Sequence, residues 1–150
     1  MAGSATTFTK DLFESTIRGS TVTPPANWFL ALFTSDPGIA GSTAGEVNPA
    51  GTGYARKSIA ANTTQWTAPA TVASNGRNVD NTFAQTIGTV TATWGTFTHW
   101  GLMDASTGGN MWYRGDINGG AGFNPSIGTS VVVDIGALDI TLAESLWLFP

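Results

Sequence analysis

One histidine, a small set of carboxylates and six tryptophans are the residues through which this 150-residue chain could do chemistry. His99 is the sole imidazole, so a Ser-His-Asp relay would have to be built on it. No serine sits in a nucleophile-elbow context. On a strand, His99 shares a face with Phe97, Gly101 and Met103. That predicts a structural, partly buried histidine, with an interface role as the alternative. A zinc site needs three or four His, Cys or carboxylate ligands. With one His and no Cys, no metal site is expected.

The segment Asp104-Ala-Ser106-Thr-Gly-Gly109-Asn110 carries oxygen donors. It lacks the alternating acids and closing Glu of a calcium loop. It reads instead as a polar hairpin tip, with Asp and Ser bonding back to backbone. Asp134 and Asp139, five apart, tend to face opposite sides of a single strand, which disfavours a glycosidase pair. No catalytic residue and no cofactor are expected, and the chain is not expected to be an enzyme.

The tryptophans are at 28, 66, 94, 100, 112 and 147. Strand tryptophans mostly build core. Exposed ones would mark a protein interface or a platform for stacking sugar rings.

The elements that must position these residues are mainly strands. From Trp94 to Ile117, two apolar and aromatic runs flank a Gly-Gly turn signal, which predicts a β-hairpin. The continuous apolar run Asn27–Thr34 predicts a strand buried on both faces. Further strands are expected over 54–60, 79–83, 88–94, 129–135 and 138–142. Asn62 to Pro69 continues or caps the strand over 54–60, anchored by Trp66. Asn75-Gly76 marks a turn, and residues 38–53 form a long surface loop in which Glu46-Val47 pairs briefly. Phe8, Leu12, Phe13 and Ile17 follow helical spacing and place an apolar stripe on the one predicted helix. Thr6, Thr7 or Thr9 caps it, and Gly19 ends it. About eight short strands indicate a single, mainly β domain over 1–150: an antiparallel sandwich or jelly roll with one short N-terminal helix. Residues 1–7 would form a flexible or docked arm, and 143–150 an apolar tail.

Composition narrows the function. Six basic residues are scattered among ten acidic ones, for a net charge of −4. Nucleic-acid binding is not expected, because it needs clustered Lys and Arg. No apolar run approaches the roughly 20 residues of a membrane-spanning helix, and no secretory signal is seen. Low charge with abundant Gly, Ser, Thr and Asn suits a protein packed against neighbours.

Several motifs occur in a recognisable order: Trp28 to Pro37 (WFLALFTSDP), Gly45-Glu46-Val47, Gly53-Tyr54-Ala55-Arg56, Trp94-Gly95-Thr96, and Thr98 through Asn110. Over roughly residues 8–142 the chain resembles a family of small tailed-bacteriophage structural proteins. These are often labelled tail fibre proteins, and similar members serve as capsid cement or decoration proteins with jelly-roll-like folds. The resemblance implies a virion component. The absence of repetitive or coiled-coil stretches favours capsid decoration, on the outside of the shell, over a long fibre. The expected partners are the major capsid protein and the chain itself, as a dimer or trimer. The alternative is a tail fibre or tail-tip component, or an adhesin for host-surface glycan. The expected contact residues are Phe8, Leu12, Phe13, Glu46, Leu146, Trp147, Leu148 and Phe149.

Overall fold

The computed structural model describes residues 1–72 and 76–142. Asn75, half of the expected Asn-Gly turn, and the apolar tail from 143 lie outside the described residues.

Among the described residues, ten strands and one α-helix follow in chain order. They are β1 (Ala2–Ala5), α1 (Thr7–Ile17), β2 (Asn27–Phe33), β3 (Lys57–Ala60), β4 (Ala70–Thr71) and β5 (Arg77–Asp80). Then come β6 (Gln85–Thr89), β7 (His99–Met103), β8 (Met111–Asp116), β9 (Ser130–Val133) and β10 (Asp139–Leu142). Eight strands form one sheet in the order β3-β2-β7-β8-β1-β10-β5-β4, and β6 pairs with β9 alone. The protein is mainly β, as expected. Every ladder is antiparallel except β1 with β10, which is parallel.

The N-terminal arm is docked as an interior strand. β1 lies between β8 and β10 and joins the two halves of the large sheet. Its composition, Ala-Gly-Ser-Ala, has little intrinsic strand preference, so tertiary packing sets its conformation. A Cβ on Gly3 would lie 2.3 Å from Cη2 of the Trp100 indole. The small residue lets that indole lie across β1 with none of its surface exposed. The amino group of Met1 donates to the Ala137 carbonyl at 2.9 Å.

The large sheet carries a buried cluster on each face. On one, Leu30, Leu32, Ile59, Trp100 and Leu102 pack with Ile87, Val131 and Val133 of the small sheet and with Val90, Trp94 and Phe97. This is the sandwich layer. On the other, Ala31, Phe33, Met103 and Met111 form a smaller cluster flanked by Phe29. β2 is therefore buried on both sides, which accounts for its unbroken apolar run.

Helix α1 runs as its stripe predicts. Thr6 caps it, accepting from the Thr9 amide at 3.5 Å, and Gly19 follows its end with φ +85°. The buried Thr9 hydroxyl donates to the Trp112 carbonyl at 2.5 Å, fixing the first turn to β8.

The strand expected over 88–94 forms three residues earlier, at 85–89, with a bulge between Thr86 and Gly88. The alternation there did report burial: Val90 and Trp94 are buried and Thr91 and Thr93 are exposed. Beyond residue 89 the backbone leaves the ladder. The Thr91 amide donates to the Thr52 carbonyl, and the Val90 amide to that of Thr129. Residues 54–56 and 81–83 likewise lie outside the strands expected to include them.

Candidate functional site

Residues from three of the motifs, Glu46, the Tyr54–Arg56 run and the hairpin tip, meet in one place. The strand-entry residue Arg56 is held against Glu46 of the long loop. Its Nε donates to Glu46 Oε1 and its Nη2 to Oε2, each at 2.7 Å. Its Nη1 donates to the carbonyls of Ala105 at 2.8 Å and Gly108 at 2.7 Å, both in the hairpin tip. A planar guanidinium suits this bidentate use. The side chains are 4% and 19% exposed, so the pair is sheltered from solvent. The Glu46 carboxylate, reached first through its hydrogen bond, raises the Arg56 pKa further above its usual range.

Tyr54 completes the cluster. Its hydroxyl accepts from the Leu32 amide at 3.0 Å and donates to Glu46 Oε1 at 3.1 Å. Burial pushes this phenol well up, and nearby Glu46 adds to the shift, so it stays protonated. Its ring meets Trp94 edge-on at 5.3 Å, and the Trp94 indole donates to the Thr52 carbonyl at 2.8 Å. This arrangement is a clamp. It joins the 38–53 loop, strand β2 and the hairpin tip, and its donors face acceptors within the chain.

The tip is closed in the same way. Asp104 Oδ1 accepts from the Asn110 amide at 2.7 Å, and Oδ2 from the Asn110 side chain at 3.0 Å and from the Trp112 indole at 3.3 Å. Gly109 adopts φ +74°, and a Cβ there would lie 2.4 Å from Asp104 Oδ1. Asp104 thus binds the turn itself, as the sequence suggests, whereas Ser106 makes no side-chain hydrogen bond among the described residues.

His99 is half-buried on the smaller core's side of the sheet. Its Nδ1 lies 2.8 Å from the Thr98 hydroxyl, and its Nε2 lies 4.0 Å from Asp36 Oδ1. That separation exceeds the reach of a catalytic hydrogen bond, roughly 2.6–3.2 Å. Asp36 is instead bound by the Gly38 amide and by Arg114 Nη1, at 2.8 and 2.5 Å. The Gly38 amide holds its carboxyl below the usual range, with Arg114 and His99 adding to the effect.

Asp134 lies just past β9, outside the ladder, and Asp139 opens β10. The carboxylates that do meet are Asp80 and Asp139, opposite each other across β5 and β10. Sequence reasoning missed this pair because it is set by register between strands distant in the chain. Burial, and then Asp139, raise the Asp80 pKa. Asn81 was also missed. Almost fully buried, it accepts from the Leu138 amide and donates to the carbonyls of Phe83 and Asp134, all within 2.9 Å. Among the described residues no three His, Cys, Asp or Glu side chains gather as a metal site.

The expected contact residues separate. Phe8 is half-buried, edge-on to Trp112 at 5.5 Å, and Leu12 is half-buried. Phe13 is 49% exposed, and Ile17, on the same helix face, is 89% exposed. Glu46 is engaged by Arg56. Leu146, Trp147, Leu148 and Phe149 lie outside the described residues. Of the tryptophans, Trp66, Trp94, Trp100 and Trp112 are buried and Trp28 is half-buried. Trp100 and Trp112 therefore present no face on which a sugar could stack.

The fold and its clusters define a β-sandwich-like domain whose motif residues hold its own loops together. Residues 3–141 match the family described as Podophage GP4 fiber I protein gp80. The chain belongs to that family and is a bacteriophage virion component. A search of curated proteins found no significant match.

Proposed function

We propose that this virion component is a capsid cement protein, bound to the outside of the major capsid shell and bridging adjacent capsomers. The observation that carries the reading is the apolar face left on α1. Phe13 stays half exposed and Ile17 almost wholly so after the domain has closed its two cores. Ile39, whose carbonyl accepts from the Thr7 amide at the start of the helix, is 60% exposed. A neighbouring subunit that covered this face would gain burial without any change in the fold.

Individually weak contacts suffice in this role, because copies arrayed on a symmetric shell act multivalently. The protein binds the assembled shell rather than its separated subunits, and by linkage it stabilises the shell. Self-association as a dimer or trimer would place two or three such faces on neighbouring capsomers.

The test is binding of the full-length protein to expanded shells, compared with the Phe13→Asp, Ile17→Asp double variant. Loss of binding with an unchanged circular dichroism spectrum supports the reading. Undiminished binding overturns it. A second reading, a fibre component of the tail, is favoured by the family's description as a fibre protein. Antibody labelling of virions separates the two.

A further inference from the structure

The small sheet covers only part of the large sheet's apolar face. Beside it runs a groove of about 220 Å³, walled by Trp28, Trp66, Val79, Tyr113, Ile140 and Leu142. Arg77 stands at its rim, its guanidinium bonded to the Thr71 hydroxyl and the Pro69 carbonyl. The groove is smaller than the roughly 300–1,000 Å³ of typical small-molecule sites. It suits one or two apolar side chains.

We infer that this groove is the seat of the chain's own C-terminal segment, residues 146–149. Leu142, 45% exposed, is itself a wall of the groove, so the chain leaves the described fold at its lip. Residues 143–150 follow: Ala-Glu-Ser, then Leu-Trp-Leu-Phe-Pro. Three residues are enough for a reversal, since connections of two to five are common. At roughly 3.3 Å per residue, the next four reach about 13 Å back across the groove. The segment's side chains match the walls in chemistry, and leaving both in water would be an aggregation liability. Tethering at the lip sets an effective concentration on the order of millimolar, which favours the same chain over a second copy in dilute solution. This assignment does not depend on where the protein sits in the virion.

The chain has no cysteine, which makes crosslinking clean. Full-length variants carrying Pro69→Cys with either Leu146→Cys or Leu148→Cys are oxidised, then read by non-reducing gel and intact mass. The expected result is a disulfide within one chain for at least one pair, with none for Lys10→Cys paired with Leu148→Cys. Disulfide-linked dimers would place the segment on a second copy and overturn the inference, as would no linkage in either pair. As a separate readout, full-length Trp147→Asp is expected to bind several-fold more of a hydrophobic dye with unchanged circular dichroism. Unchanged dye binding contradicts the assignment.

Discussion

Glu46 and Arg56 face each other in a sheltered clamp, and every bond described for them ends within the chain. Phe13 and Ile17, on α1, have no such closure and leave much of their apolar surface in water. The first region lies within the motifs by which the sequence resembles its family. The second carries none of those motifs. Spacing of polar residues therefore marks what holds the loops of this domain in place. A surface able to meet a neighbour shows itself only as a helical stripe wider than the domain needs for its own core.

This contrast can be broken at four points. The largest effect is expected at the clamp. Arg56→Met strands a sheltered carboxylate and two carbonyls, and removing one partner of such a pair costs about 3–5 kcal/mol. Denaturant unfolding should show this loss, and a loss below about 1 kcal/mol would mean the clamp holds little. Next is Gly3→Ala, which drives a methyl group into the Trp100 ring. Overpacking of this kind costs about 1–3 kcal/mol. Unchanged stability would show that β1 is not seated as an interior strand.

A smaller effect of opposite sign is expected at Asp80. Like charges directly opposite on neighbouring strands destabilise, by about 0.2–1 kcal/mol, so Asp80→Asn should stabilise at neutral pH. The sign with pH follows from the raised folded pKa of Asp80. Both states are protonated well below the ordinary value of 3.8, so the penalty is absent there. It develops as pH rises from that value through the higher folded one. Stability of the Asn variant relative to the parent should therefore increase over that window and then level off. The smallest stability effect is expected for Phe13→Asp, Ile17→Asp, within about 0.5 kcal/mol as for other exposed positions. Only assembly should change.

The helix, the buried strand β2 and the hairpin were legible because each carries a local signal. These signals are a 3.6-residue stripe with a threonine cap, an unbroken apolar run, and strand formers around Gly-Gly. Strand β1 was not legible. Ala-Gly-Ser-Ala has no strand pattern, and its conformation follows from the room Trp100 needs beneath it. Residues 88–94 misled in one respect only. Their alternation correctly reported which side chains point inward, but the bonds of Val90 and Thr91 go to loops, not to a strand. At the clamp, the motifs around Glu46, Tyr54, Arg56 and Asp104 were visible one by one. Their convergence was not, because it depends on two loops folding toward β2.

Contact between this domain's helix face and the capsid shell can be read by locating the protein on intact particles with labelled antibody and cryo-electron microscopy. Density is expected on the outer face of the head, between capsomers, with α1 against the shell. Density confined to the tail would contradict it.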